Sequence, residues 1–456
     1  PPRSTLFPYT TLFRSVLRMM MAHNPKFYPL EQFDVRLNRP DIVLSKLGIA
    51  SREKTRALKQ AYLKRLARLG LNESSLSAKI AVPIVTTSAI PAQTKERFLS
   101  LKVKATDETF PVQRIHILVN DVPLYGLQGF KVASDTLKEV QKDFKVELTN
   151  GRSKIQISAV NSAGIESLKE TFYITCNSTV PQPRNRFVVA IGVSEFSNAD
   201  FNLKYAAKDA SDIVAAFGSN PGYFATTKVL RIADKEATRE NILKAREFLA
   251  QAKTNDQVVL FAAGHGLLDE KLDWYFATTD IDFNNPSARG VAYQELEGLL
   301  DGIAAREKIL LMDACHSGEV DKEETQVVNI ASVQNGAVNS RGFKAKTLEK
   351  KTGMGLQSSF ELMQQLFADL SRGSGAMVIS SAGGTELAFE SPQWNNGVFT
   401  YSLLQGLKTK KADANKDGKI QVSEIRDFVI DNVQSLKQGL QKPTSRKKNL
   451  DLDFRK

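Results

Sequence analysis

Cysteine is nearly absent from this chain. Its 456 residues contain two, Cys176 and Cys315. Two thiols cannot build a disulfide framework, and no Cys/His spacing suits a zinc site. A free, reactive thiol fits a reducing compartment, so a cytoplasmic location is expected. Long apolar runs are also missing. None approaches the roughly 18 residues of a membrane span, so no membrane partner is expected. There is no RNA-binding signature. The net charge of +12, from 62 basic and 50 acidic residues, is mostly scattered, with crowding at Arg52–Arg68 and Arg446–Lys448. Such an excess permits attraction to polyanions without specifying one, and no nucleic-acid partner is expected.

What is present divides the chain by pattern. Residues 1–15 include Thr5–Ser15, TLFPYTTLFRS, which has neither periodicity nor targeting logic. They read as the in-frame translation of a sequencing adapter and are set aside. The natural chain is then expected to continue upstream. Residues 16–80 are expected to be a helical linker segment. Its one clear helix is Ser51–Leu69, capped by Ser51, ended by Gly70, with Leu58, Ala61, Tyr62 and Leu66 on one face. The opposite, basic face is read as solvated. Residues 81–176 switch to short alternating runs: Leu99–Lys104, Ile115–Asn120, Lys145–Leu148, Lys154–Ala159 and Glu170–Thr175. They predict a small immunoglobulin-like β-sandwich, with Asn150-Gly151 as a hairpin signal between two of the runs. Cys176 and His116 fall here and are read as structural. Residues 177–186, NSTVPQPRNR, predict a linker.

From residue 187 to 456 strands and helices alternate. Strands are predicted at Phe187–Val193, Lys228–Ile232, Asp256–Ala263, Ile309–Met312 and Ala376–Ser380. Helices are predicted at Leu203–Phe217, Arg239–Ala252, Tyr293–Ile303 and Phe399–Leu407. Continuous apolar strands alternating with helices indicate a mainly parallel sheet sandwiched by helices. In such sheets the site lies beyond the carboxyl ends of the strands. Two strands end in chemistry. Asp256–Ala263 runs into Gly264-His265-Gly266, and Lys308–Met312 into Asp313-Ala314-Cys315-His316-Ser317-Gly318. His265 and Cys315 are 315 − 265 = 50 residues apart, a spacing known for a cysteine nucleophile and its upstream histidine. Amide hydrolysis needs a nucleophile, a proton shuttle and oxyanion donors. Cys315 supplies the thiolate, His265 the shuttle, and the Gly266 N–H an oxyanion donor. No third orienting residue is evident, so the expected machinery is a dyad. His316 adjoins Cys315 but points to the other face of an extended strand, which ranks it below His265. Residues 319–372 interrupt the alternation with a long polar loop and an amphipathic helix, Ser358–Leu370.

The ordered segments VVAIGVSEF, LKYAAKDASDI, VVLFAAGHG, YFATTD and ILLMDACHSG resemble the caspase-like cysteine peptidases, metacaspases and bacterial caspase-like proteins in particular. The resemblance covers about 187–456. It implies a caspase–haemoglobinase α/β fold, a hydrolase activity without a cofactor required for chemistry, and protein or peptide substrates. Caspases proper carry Gln two residues before the cysteine and cleave after Asp. This chain has Asp313 there, as metacaspases do, and Asp209 matches a second metacaspase aspartate. Two carboxylates in one pocket favour a guanidinium or ammonium at P1, so cleavage after Arg or Lys is expected. Arg341, Lys344, Lys346, Lys350, Lys351 and Arg372 make the long loop a candidate for self-cleavage. Residues 40–176 are similar to the region downstream of a WD40 propeller in some bacterial multidomain caspase-like proteins, which implies such a domain upstream.

A second motif is Asp413–Glu424, DANKDGKIQVSE. It matches the twelve-residue EF-hand loop through Asp413, Asn415, Asp417, Gly418 and Glu424, with the Lys419 carbonyl as a further oxygen ligand. Ca2+ binding and calcium regulation are therefore expectations; Asp280 and Asp282 are further acidic candidates without an assigned role. The leading reading is a cysteine endopeptidase. The alternative is a catalytically idle caspase-like scaffold responsive to calcium.

Overall fold

The computed structural model describes residues 20–23, 26–76, 79–218, 223–269, 273–314, 339–340, 373–381, 388–436, 441, 443–446 and 453–454. The stretch 1–15, Cys315, His316, the helix Ser358–Leu370 and the six basic loop residues named above lie outside them. The described chain forms two compact units, one ending at Thr179 and one beginning at Val180.

In the first unit, helix Arg52–Arg68 has its N-terminus capped by Ser51, whose Oγ accepts from the Lys54 N–H at 3.1 Å. Gly70 follows in the left-handed region (φ 68°), where a glycine carries no Cβ penalty. Leu58, Ala61, Tyr62 and Leu66 are buried. The segment before the sandwich packs on it. It opens with a hairpin, Met20–His23 against Lys26–Pro29. Phe33 then packs with Ala163 and Ile165 of the β-rich part, and Gln32 bonds to the Glu166 carbonyl at 3.1 Å. These apolar contacts attach the segment to the sandwich, which spacing alone did not reveal.

The β-rich part has two sheets over one core. Three strands, Ile84–Thr87, Phe98–Thr106 and Glu139–Glu147, form the smaller sheet, and Gly151–Asn161 lies between Val112–Val119 and Glu170–Cys176 in the larger. Along Phe98–Thr106 the burial alternates, with Leu99, Leu101, Val103 and Ala105 inward, as a half-buried strand requires. They meet Ile115, Ile117, Ile155 and Ile157 of the other sheet. The arrangement fits an immunoglobulin-like sandwich. Asn150-Gly151, however, does not close a hairpin. The strands on either side belong to different sheets, so the dipeptide carries the chain across the core. Gly151 supplies the φ of 98°, and the Asn150 side chain is bonded to both backbone groups of Ser178. The two-residue hairpin is instead at Asn120-Asp121. Both have positive φ, and Val119 pairs with Val122 across them. Cys176 is buried, with its thiol near the Glu96 carbonyl and the Asn150 side chain, and His116 is buried under Gly129.

In the second unit the elements are β1 (Asn185–Gly192), α1 (Ala206–Gly218), β2 (Thr226–Ala233), α2 (Arg239–Leu249), β3 (Gln257–Gly264), β4 (Glu307–Ala314), β5 (Met377–Ser380), α3 (Val398–Lys408), α4 (Val422–Leu436) and β6 (Thr444–Arg446). The predicted linker thus ends before Asn185, which already belongs to β1. The sheet order is β2-β1-β3-β4-β5-β6, parallel except for β6. Adjacent strand residues point to opposite faces. Arg186 bonds to the Phe217 carbonyl of α1, whereas the ring of Phe187 meets Phe248 of α2 at 5.5 Å. The two helices therefore cover opposite faces. Gly192 allows α1 to close on β1, since a Cβ there would lie 2.4 Å from the Ala206 carbonyl oxygen.

The core strands are mostly apolar, but Arg186, Gln257, Asp313 and, near the start of β4, Lys308 are also fully buried in them. The Lys308 ammonium is fully buried and donates to the Ser374 carbonyl at 3.2 Å. Burial, reinforced by Arg306, lowers its pKa from 10.5 to about 7. Between about 7 and 10.5 the unfolded chain holds a proton that the folded chain has released. Stability from this group therefore rises with pH across that window, and the penalty is complete below it. Lys308→Met should raise the thermal midpoint, and the gain should be larger near neutrality than near pH 10. Chemical denaturation at a series of pH values checks this; a pH-independent difference between the two proteins would contradict it.

Candidate active site

The geometry of the site follows from one register. Strands β3 and β4 pair in parallel from Gln257↔Glu307 to Gly264↔Ala314, so each residue of one faces the residue 50 positions later in the other. His265 is the residue after Gly264, and Cys315 is the residue after Ala314. Cys315 itself lies outside the described residues. The strand leading to it is fixed on its other side too. Ser381, following β5, donates its N–H to the Met312 carbonyl at 2.7 Å and its hydroxyl to the Ala314 carbonyl at 3.3 Å.

His265 sits where the sheet order reverses. From β1 the chain goes to β2 on one side and then returns to β3 on the other, so the loops after β1 and β3 diverge and leave a crevice. The imidazole is buried between them. Its Nε2 is 2.8 Å from the main-chain carbonyl oxygen of Phe201, in the loop after β1. A carbonyl only accepts, so Nε2 carries the proton and Nδ1 is the basic nitrogen of the ring. Aromatic rings complete the setting: Phe196 is 5.1 Å from the imidazole, Phe283 is 6.0 Å from it at 78°, and Phe283 stacks on Phe201 at 3.8 Å. The loop is held by a polar group of its own and by one from the turn after β2. Asn202 Oδ1 accepts from the Phe196 N–H at 2.8 Å, and Asp234 accepts from the N–H groups of Ser194 and Glu195. The orienting group for the histidine is therefore a peptide carbonyl. No side chain advertises it, so residue types could not reveal it. Gly266 is buried in a short strand, Gly266–Leu268, where it pairs with Phe276.

Asp209 and Asp313 are fully buried and meet at one place, the N-terminal turn of α3. Gly397, at the N-cap, has no side chain with which to cap its own helix. Asp209 accepts from the Gly397 N–H at 3.1 Å and from Asn396 Nδ2 at 2.8 Å. Asp313 accepts from the Thr400 N–H at 3.3 Å and its hydroxyl at 2.6 Å. Orphan N–H groups and the helix dipole both favour carboxylates there. A third buried carboxylate, Glu390, accepts from the N–H of Lys204 at 2.8 Å and of Tyr205 at 3.3 Å, just before α1. Glu390, Asn396 and Thr400 were not singled out from the sequence. Asn396-Gly397 ahead of an apolar run is the one local signal that marks this helix start.

The segment Asp413–Glu424 runs from the connection after α3 into the first turn of α4, with residues 414–419 exposed and Ile420 and Val422 buried. Gly418 has φ 81°, which favours glycine. Asp413 accepts from the N–H groups of Asp417 and Gly418, Asp417 from that of Lys419, and Glu424 from those of Ala414, Asn415 and Gln421. Ile420–Gln421 pairs with Asp453–Phe454. The donors are hard oxygens, of the kind calcium takes. Among the described residues no three His, Cys, Asp or Glu side chains are grouped as they would be around a metal ion. Their N–H contacts leave further carboxylate lone pairs unused, so cation binding would require these side chains to draw together and not to give up their backbone partners. Asp280 is paired with Arg289, and Asp282 caps the Asn284 N–H.

Among the described residues no helix is long and apolar enough to cross a membrane. A comparison with curated proteins finds no match. Among solved structures, a protein of Geobacter sulfurreducens is similar at 17% identity and TM-score 0.38, over 57% of this chain and 92% of that one. Caspase-1 from Spodoptera frugiperda is similar at 10% identity and TM-score 0.33, over 59% and 89%. Fibronectin(III)-like modules of Clostridium thermocellum CbhA are similar at 19% identity and TM-score 0.17, over 22% and 48%. The family model described as the caspase domain matches residues 185–455, more than half of the chain and the whole of the sheet that carries His265. This chain belongs to the caspase-domain family of cysteine peptidases.

Proposed function

We propose that the chain is a cysteine endopeptidase in which Cys315 and His265 act as a pair and which cleaves after Arg or Lys. The observation that supports this is the Gly264↔Ala314 pairing, in which the residue before His265 lies beside the residue that precedes Cys315 in sequence. His265 takes the thiol proton at Nδ1 as Cys315 Sγ attacks the scissile carbonyl carbon. The Gly266 N–H serves the oxyanion as the C–O bond becomes single. Collapse of the tetrahedral intermediate expels the amine, which leaves with the proton from Nδ1. Water then attacks the thioester through the same imidazole and restores the thiol. Throughout, the Phe201 carbonyl accepts from Nε2–H and holds the ring's orientation, the part played by a carboxylate in a triad.

Charge supports the basic P1 preference. Three buried carboxylates, Asp209, Asp313 and Glu390, are set against two helix N-termini. Each N-terminus offers about half a positive charge, so an excess of about two negative charges is left for an incoming cation. Purified protein should hydrolyse Arg- and Lys-terminated fluorogenic peptides and spare the Asp-terminated one. Cys315→Ala and His265→Ala should each lose on the order of 1,000-fold or more in kcat. The same active protein, and not Cys315→Ala, should yield two fragments on a denaturing gel by cutting within 319–372. Cleavage of none of the basic peptides would favour an idle scaffold.

Calcium belongs to this proposal as a ligand of Asp413, Asn415, Asp417, Glu424 and the Lys419 carbonyl, with no catalytic step routed through it. When bound it would supply charge that draws the loop's oxygens together. Calorimetric titration with calcium should show one binding event that Glu424→Gln removes. Absence of any heat would sink the calcium reading and leave the peptidase reading standing.

A further inference from the structure

We propose that the turn joining two helices of the first unit, around Leu47 and Ile49, docks on an anionic lipid surface. The short helix Pro40–Lys46 is inside out. Its acid, Asp41, is buried and held by two bonds from the Arg39 guanidinium, at 2.8 Å and 2.7 Å. Its aliphatic residues face outward. Ile42, Val43 and Leu47 have the spacing of one helix face and are 40%, 51% and 60% exposed. Gly48 then closes the helix with a φ of 67°; its N–H donates to the Ser45 carbonyl at 3.1 Å, and the Ile49 N–H to the Leu44 carbonyl at 3.2 Å. That closure leaves Ile49 59% exposed. Five of the thirteen exposed large apolar residues in the described chain, Leu37 among them, thus fall within 37–49. A lone exposed leucine means little, whereas a cluster of aliphatic side chains above a buried carboxylate marks a surface that something covers.

Charge selects the partner. Ten basic and two acidic residues lie within 36–68, a net +8 out of the +12 of the whole chain. Lys46, Arg52 and Arg56 are exposed and flank the turn, because Ser51 begins the next helix two residues after Ile49. Such a surface attracts an anionic partner and repels a second copy of itself. Residue type narrows the choice further. Single-stranded nucleic acid is held by basic groups together with aromatic rings on which bases stack. The one aromatic residue of 36–68 is Tyr62, which is buried with the Arg39 guanidinium 4.0 Å from its ring centre. A protein partner would need a groove shaped to the turn. A bilayer needs none: it takes aliphatic side chains below the headgroups and leaves lysine and arginine beside the phosphates. The contact is interfacial, with no segment crossing the bilayer.

Flotation of the full chain with lipid vesicles tests this, and none of its outcomes bears on the peptidase reading. Two compositions are compared, phosphatidylcholine alone and a mixture with phosphatidylserine. At low salt the protein should partition into the mixed vesicles at least about tenfold more strongly than into plain ones, and high salt should weaken the difference. The double variant Leu47→Ser, Ile49→Ser should lower partition into mixed vesicles about tenfold. The double variant Arg52→Gln, Arg56→Gln should lower it about twentyfold. All four side chains are exposed, so both variants should keep the wild-type thermal midpoint, which confirms that they are folded. Wild-type protein that stays with neither kind of vesicle, or binds both equally, would overturn the proposal. So would an unchanged partition in Leu47→Ser, Ile49→Ser, since the attachment would then be electrostatic without insertion. Sedimentation of the free protein as a dimer that the same variant abolishes would overturn it as well, because a second copy would then cover the turn.

Discussion

The parallel pairing of β3 with β4 is the constraint on which the site depends. The two strands keep one register over eight residue pairs, from Gln257↔Glu307 to Gly264↔Ala314. With Val258, Leu260 and Ala262 opposite Lys308, Leu310 and Met312, the two strands end together at Gly264 and Ala314. The separation of histidine and cysteine by 50 residues is thus the register of the sheet expressed in sequence. The crossover between the strands can vary in content without disturbing it. The reversal of strand order at β1 and β3 then opens the crevice in which the imidazole lies, and the Phe201 carbonyl reaches across that boundary to hold it.

Helix N-termini provide the second layer of organisation. The carboxylate of Asp313, one residue short of the end of β4, holds the first turn of α3, and Asp209 in the first turn of α1 holds the N-cap of the same helix. Glu390 in turn receives the N–H groups that precede α1. Strand end and two helix starts are thereby tied by buried, charge-assisted hydrogen bonds, each worth more than a neutral bond and costly to break. Positioning and electrostatics coincide here. The groups that fix β4 beside α3 are also the carboxylates on which the proposed preference for a basic P1 residue rests.

Much of this was legible in the sequence because the core strands carry little besides apolar residues. VVLFAA and ILLM are short continuous apolar runs of the kind buried strands carry, and their ends display the chemistry. The helices Arg239–Leu249 and Val398–Lys408 follow from periodicity in the same way, within a few residues. What stayed hidden was of other kinds. Asn150-Gly151 encodes a turn and not the partner of the strands it joins, so it reads as a hairpin at a point where the chain changes sheets. The segment before the sandwich reads as a linker because its attachment rests on a few side chains, Phe33 and Gln32 among them, with no period of their own. The Phe201 carbonyl is invisible to any reading of side chains. Asp209 and Asp313 were recognisable as a pair only through resemblance; that they meet on one helix start is a fact of tertiary structure.

The central claim is that the imidazole of His265 serves the thiol of Cys315. It is tested most directly by the rate at which iodoacetamide alkylates Cys315 as pH is varied, in the wild-type protein and in His265→Ala, with the labelled residue identified by mass spectrometry. Cys176 is buried and should stay unlabelled in both. A thiol paired with an imidazole should react as thiolate well below the ordinary cysteine pKa of about 8.5, and loss of the histidine should return the profile to that value. Identical profiles in the two proteins would contradict the pairing.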